Sequence, residues 1–130
     1  MDEMLDLNSE TICFIIARAR EFHAKEAVMI PDEPGGMDGD WAREVLEDHL
    51  SDMTFQEVKS AIEDLEPDQQ ISLVALMWLG RGDFTLEEWP AALEEAQRSW
   101  TERTADYLLA TPMVADYLDE GLAQFGHSCE

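Results

Sequence analysis

Three histidines, two cysteines and the carboxylates around them are the side chains of this 130-residue sequence that are best suited to chemistry. His23 and His49 each fall on the apolar side of a predicted helix, and they would approach each other if the two helices packed together. With a carboxylate such as Glu44 or Asp48, these imidazoles could hold a transition metal or transfer protons. No metal motif joins the histidines, so a partly buried, hydrogen-bonded side chain is the favoured interpretation of each.

Nucleophilic and acid/base catalysis have weaker support in the sequence. No serine lies in a Gly-x-Ser-x-Gly elbow, and the adjacent carboxylates, such as Glu87 and Glu88, are expected by chance in so acidic a chain. An acid/base role would require one carboxylate in an apolar pocket, which a sequence does not reveal. The sequence therefore identifies no catalytic residue and calls for no cofactor.

A long irregular segment is predicted at about residues 28–40, where two prolines and three glycines interrupt any regular structure. Its carboxylates could bind a divalent cation, but their spacing matches no known loop geometry, and a flexible surface loop is the favoured interpretation. The Arg-Gly-Asp tripeptide at 81–83 is interpreted as a turn. These two loops are the candidate interaction sites, and their candidate residues are Asp32, Glu33, Asp38, Asp40, Trp41, Arg81 and Asp83.

The charge of the chain is strongly one-sided, with 30 acidic residues against 8 Lys and Arg and a net charge of −22. Such a surface repels phosphate backbones and anionic lipid heads, so neither nucleic acid nor a membrane is an expected partner. It favours cations and basic protein surfaces. Mimicry of nucleic acid by the carboxylates is a lesser alternative. Four tryptophans leave a homo-oligomer open, since Trp41 beside the loop could belong to an interface.

The N-terminal and apolar segments favour a cytoplasmic location. The chain begins with acidic residues rather than a basic, secretory-type segment, and no apolar run approaches the ~18 residues of a membrane span. Cys13, inside an apolar run, is interpreted as a small buried hydrophobic residue, and Cys129 as part of a frayed tail. No disulfide framework is predicted from two cysteines.

Apolar residues recur at helical spacing along almost the whole chain, and no segment alternates like a strand. The predicted fold is an all-α, single-domain bundle over residues 1–130, with about six helices around a central apolar helix at about 67–79. Helix starts are predicted at Asn8 or Ser9, Asp40, Thr54, Pro67, Thr85 and Thr111. The stripe of the fifth helix, which contains Trp89 and Trp100, is extended by Tyr107 and Leu108.

Two segments together resemble a protein family. They are Trp78-Leu79-Gly80-Arg81-Gly82-Asp83-Phe84, followed by Glu88-Trp89, and Thr111-Pro112-Met113-Val114-Ala115-Asp116-Tyr117-Leu118-Asp119-Glu120-Gly121-Leu122. In this order they resemble a family of short acidic proteobacterial proteins classed as a domain of unknown function. The resemblance runs from the first helix to Gly121-Leu122. It implies a helical, cytoplasmic, bacterial protein, and it brings no activity, cofactor or catalytic residue with it.

The leading hypothesis from the sequence is a non-enzymatic protein–protein interaction or regulatory module, with a basic partner favoured by the charge. The alternative is a small enzyme or metal-binding protein that uses His23, His49 and nearby carboxylates.

Overall fold

A computed structural model describes residues 7–26, 52–111 and 113–129. These residues form six α-helices and no strand, which confirms the predicted all-α bundle. The helices are α1 (Ser9–Glu26), α2 (Met53–Glu63), α3 (Pro67–Arg81), α4 (Trp89–Ser99), α5 (Thr104–Ala110) and α6 (Val114–Gln124). The helix predicted to begin at Asp40 and the irregular segment at about 28–40 lie outside the described residues.

Helix α1 begins where its sequence predicts. The side chain of Asn8 accepts a hydrogen bond from the backbone N–H of Glu10 at 2.7 Å, which satisfies one of the free donors of the first turn. The predicted apolar stripe is buried, and it consists of Ile12, Ile15, Ile16, Ala19 and Phe22. This face packs against α2 and α6.

Helix α2 begins two residues earlier than predicted. Asp52, not Thr54, is its N-cap, and its carboxylate accepts from the N–H of Phe55 at 3.0 Å. Thr54 itself is buried. An aspartate two residues before the predicted start gives an equally good cap, and the burial of Thr54 decides between the two.

Helix α3 is the central helix that the sequence predicts. Pro67 is its first residue, where the missing N–H costs no hydrogen bond, and Glu66 and Gln69 form a capping box before it. Every residue from Ser72 to Leu79 is buried, between α4 on one side and α6 on the other. Gly82 ends the helix in the left-handed conformation, with φ 96°.

The crossing of α3 and α6 depends on two glycines, one in each motif of the family resemblance. A Cβ at Gly80 would overlap the carbonyl group of Tyr117, and a Cβ at Gly121 would overlap the carbonyl oxygen of Leu76. The two backbones therefore approach each other more closely than any larger residue allows.

The predicted fifth helix is two helices. Thr85 and Glu88 form the predicted capping box, which opens a 3-10 turn (Leu86–Glu88) before α4 begins at Trp89. Trp100 then adopts an extended conformation and ends α4. Its indole N–H donates to the buried Gln70 side chain at 2.8 Å. A tertiary contact therefore accompanies the end of the helix, although the helical spacing of apolar residues continues in the sequence.

The predicted Thr111 cap of the last helix is wrong. Helix α6 begins at Val114, and the residue before it, Met113, has a left-handed backbone with φ 61°. The Thr111 hydroxyl instead donates to the carbonyl oxygen of Tyr107 at 2.7 Å, within the last turn of α5. A buried threonine at a helix end can satisfy either helix, and here it bonds to the preceding one.

The interpretation of the two cysteines is also wrong. Cys13 in α1 and Cys129 in the C-terminal tail form a disulfide, with their Cα atoms 5.4 Å apart. Cys13 is half-buried against the edge of the core, and Cys129 is exposed. The bridge joins residues 116 positions apart, a separation at which no local pattern signals a contact.

The described helices include none that is long and apolar enough to cross a bilayer.

Candidate functional site

His23 lies near the C-terminal end of α1, half-buried beside α5 and α6. Its Nε2 atom is 2.8 Å from the carbonyl oxygen of Leu109. A carbonyl oxygen only accepts hydrogen bonds, so Nε2 carries the proton, and Nδ1 of the neutral ring keeps its lone pair. The backbone of α5 thus fixes both the orientation and the tautomer of this imidazole.

A pocket of about 400 Å³ opens beside His23, between α1 and the start of α6. Arg20 and Asp116 form an ion pair at 2.8 Å on its wall. Met113, which is 55% exposed, and Ala115 add apolar surface. The volume is within the range of small-ligand sites, and the lining combines a cation, a carboxylate, an imidazole and apolar atoms.

Burial lowers the pKa of His23 below its ordinary value of 6.5, because removal from water disfavours the charged ring. The hydrogen bond to Leu109 acts in the opposite direction and is the smaller effect. The imidazole is therefore neutral at pH 7. A neutral imidazole with a fixed Nδ1 lone pair can accept a proton or a hydrogen bond, and a metal-ligating histidine has the same backbone anchor on its other nitrogen.

Within residues 7–26, 52–111 and 113–129, no three His, Cys, Asp or Glu side chains come together as metal ligands do. The second predicted histidine, His49, lies outside the described residues. So do the loop candidates Asp32, Glu33, Asp38, Asp40 and Trp41. The metal ligands that the sequence suggested beside His23, namely His49 with Glu44 or Asp48, all lie outside the described residues.

Arg81 and Asp83 lie together at the end of α3, where the Arg81 guanidinium donates to Asp83 at 2.7 Å. Burial acts to lower the pKa of Arg81, but hydrogen bonds and charge interactions with Asp83 and Tyr107 raise it overall. The Tyr107 hydroxyl also accepts from the indole N–H of Trp78 at 3.0 Å. The polar groups of this turn are thus bonded to one another and to α5.

A second surface feature is a groove between the first turns of α3 and the last turns of α4. Its volume is about 190 Å³, below the usual range of small-ligand sites. Partly buried Ile71 and Leu93 form its apolar walls, and Asp68 and Gln97 border it.

The charges of the described surface are distributed unevenly. Each of five cationic side chains forms an ion pair within the molecule, namely Arg18, Arg20, Lys59, Arg81 and Arg98. Within the described part of the chain, several exposed carboxylates have no such ion pair, among them Glu63, Asp64, Asp68, Glu87, Glu102 and Glu120. These five cations are therefore paired with carboxylates of the chain itself, and the described surface keeps several carboxylates that have no such pair.

The neighbours of His23 in the pocket are not evident from the sequence alone. Arg20 has a local signal, because it lies three residues before His23 and thus on the same side of a helix. Met113 and Asp116 are some ninety residues further along the chain, and only the packing of α6 on α1 brings them to this pocket.

The fold and its surface define a helical bundle with a strongly acidic exterior. Residues 55–127 match a family described as a protein of unknown function, DUF3775. This match spans more than half of the chain, and the chain belongs to that family. The predicted membership in a family of unknown function is confirmed, although the match begins in α2 rather than in the first helix. Comparisons with curated proteins and with solved structures found no match.

Proposed function

We propose that the chain is a non-enzymatic interaction module that binds a protein with a basic contact surface. The observation that carries this proposal is the pairing of five cationic side chains with carboxylates of the same chain, while other exposed carboxylates of the described surface have no such pair. Exposed ion pairs add little stability to a fold. Their main effect here is on recognition, because each pair neutralises a positive charge that a basic partner would otherwise meet. A carboxylate-rich surface accelerates encounter with a basic partner and repels an acidic one.

The same charge disfavours association between copies of the chain. With a net charge of −22, two copies repel each other before any apolar contact forms. A homo-oligomer would therefore need an interface that neutralises or avoids the carboxylates. A heterologous basic partner has no such requirement.

Nucleic-acid mimicry has less support than binding of a basic surface in general. It requires carboxylates spaced like phosphates along one face. The exposed carboxylates named above are spread over the end of α2, the α2–α3 connection, the first turn of α3, the 3-10 turn, the segment before α5, and α6. A spread of this kind is typical of solvated helix faces.

Affinity capture from the organism that encodes the chain tests the proposal. The full chain is immobilised and exposed to extract at low salt, and bound proteins are eluted by raising the salt concentration. We expect a basic protein in the salt eluate, and less of it on a matched chain carrying Asp64→Asn, Asp68→Asn, Glu87→Gln and Glu102→Gln. The proposal would be contradicted if no protein were recovered. It would also be contradicted if the retention of the recovered protein changed neither with salt nor with these substitutions.

The His23 pocket supports a second candidate function, a small enzyme or metal-binding protein. The supporting observation is the neutral imidazole, anchored at Nε2 with its lone pair on Nδ1, beside Arg20 and Asp116. Metal analysis of the purified protein, with His23→Ala and His49→Ala as comparisons, tests the metal form of this candidate. Stoichiometric transition metal that both substitutions remove would favour it over the interaction module, and absence of metal would count against it.

A further inference from the structure

The groove between α3 and α4 is one of the places where side chains packed on the apolar core are partly exposed. Ile71 immediately precedes the buried run of α3, and Leu93 follows the buried Ala92 in α4. Both side chains are only partly covered, and they form the walls of an open cleft of about 190 Å³. A single aliphatic side chain is the size of group that such a cleft accommodates.

The surroundings of the groove are acidic. Asp68 lies at its edge, Glu63 is the last residue of α2, and Asp64 follows it in the connection that leads to α3. These three carboxylates are exposed and form no ion pair with the described cationic side chains. On the α4 side, the nearby cation Arg98 is bound to Glu95 at 2.6 Å.

We propose that this groove is the docking site for the basic partner, and that it receives an aliphatic side chain flanked by Lys or Arg. The inference rests on the proposed function, and it adds a location and a recognition pattern. The aliphatic group covers Ile71 and Leu93, while the flanking cations face Asp64 and Asp68. Burial of the apolar group supplies affinity, and the charges supply orientation and selection against acidic partners.

The chain itself is a poor occupant for this groove. A second copy would bring its own surplus of carboxylates to an acidic rim. A membrane surface is disfavoured by the same sign of charge. A helical or extended segment of a basic protein can place an apolar side chain against the walls and its cations against the acidic rim.

A pair of synthetic peptides tests the proposal. The first is a fluorescein-labelled amphipathic peptide of leucine and lysine, about 14 residues long, with the leucines at helical spacing. The second has serine in place of every leucine and the same charge. Binding to the full chain is measured by fluorescence anisotropy at low salt, and the contact surface is mapped by amide chemical shifts.

We expect the leucine peptide to bind more tightly than the serine peptide, with shifts concentrated at 68–72 and 93–97. Ile71→Ser should weaken its binding at least about fivefold, as expected for an apolar contact at the centre of an interface. Met53→Ser is the matched control, because Met53 is 75% exposed and lies outside the groove. Asp68→Asn, a surface change that does not threaten folding, should weaken binding more than Glu120→Gln does.

Three results would overturn the groove as the docking site. They are equal binding of the two peptides, shifts concentrated elsewhere, and an Ile71→Ser chain that is folded and binds like the parent. In each case the chain still binds a basic peptide, so the proposed function survives. If neither peptide binds at low salt, the proposed function fails together with the docking site.

Discussion

The backbone of Gly80 in α3 lies directly against the carbonyl group of Tyr117 in α6, with no room for a Cβ between them. Gly121, one turn further along α6, lies in the same way against the carbonyl oxygen of Leu76. These two contacts set the distance between the central helix and the helix that forms one wall of the His23 pocket. The glycines of both sequence motifs therefore act in the fold itself.

Gly80→Ala is expected to lower the free energy of unfolding by about 3 kcal/mol, because the added methyl group forces the two helix backbones apart. Urea unfolding monitored by circular dichroism measures the change. Gly82→Asn is the matched control: position 82 has a left-handed backbone but open space around it, and asparagine tolerates that conformation. A loss for Gly80→Ala no larger than that for the control would contradict the close crossing.

The Cys13–Cys129 disulfide should stabilise the folded chain by about 4–5 kcal/mol, the value expected when a bridge closes a loop of this length in the unfolded state. Reduction with dithiothreitol should therefore lower the melting temperature of the oxidised protein. Cys129→Ser, in which no bridge can form, should melt at the reduced temperature and should not respond to dithiothreitol. Equal melting temperatures of the oxidised and reduced parent chain would show that the bridge does not constrain it.

The ion pair between Lys59 of α2 and Asp106 of α5 is the most buried ion pair among the described residues, with a distance of 3.2 Å and side-chain exposures of 22% and 5%. Asp106→Ala should cost about 3 kcal/mol of stability, because it removes the partner of a largely buried ammonium group. Glu94→Ala, at an exposed pair with Arg98, should change stability by less than about 0.5 kcal/mol. Urea unfolding measures both changes in the free energy of unfolding. Similar losses for Asp106→Ala and Glu94→Ala would contradict the distinction between the two ion pairs.

The lowered pKa of His23 gives the stability of the protein a defined dependence on pH. A histidine whose folded pKa lies below its unfolded value of 6.5 is protonated more readily in the unfolded chain. Its contribution to stability is therefore fully present above pH 6.5, and it is lost as the pH falls from there towards the folded pKa. His23→Gln keeps an N–H donor for the Leu109 carbonyl and removes this titration.

Urea unfolding of the parent chain and of His23→Gln, at a series of pH values below 7, measures the difference. The parent should lose more stability than the variant as the pH falls, and an NMR titration should place the His23 midpoint below 6.5. A midpoint at or above that value would contradict the buried, neutral imidazole.

Local patterns predicted most of the helices. The stripe from Ile12 to Phe22 and the apolar run that ends at Leu79 are periodic in the sequence, and both are buried as expected. The Pro67 and Thr85 starts follow from short-range hydrogen bonding, which a sequence displays directly. The errors at Thr54 and Thr111 arose where tertiary packing decided the outcome: Thr54 is buried, and the Thr111 hydroxyl donates to Tyr107 instead of capping the last helix.

Contacts between distant segments were not predictable from periodicity. The spacing of apolar residues does not indicate which helices cross, so the His23–Leu109 hydrogen bond, the Trp78–Tyr107 hydrogen bond and the Cys13–Cys129 bridge all required the packed structure. The groove at Ile71 and Leu93 was hidden for the same reason, since each residue looks like an ordinary member of its own apolar stripe.

The central claim is that carboxylates of this chain recognise a basic protein, and the salt dependence of binding to the captured partner tests it most directly. The dissociation constant is measured by titration calorimetry over a range of salt concentrations. We expect affinity to fall steadily as salt rises, and to fall less steeply for Asp64→Asn/Asp68→Asn, because exposed charge pairs are screened. An affinity that does not change with salt in either chain would contradict the claim.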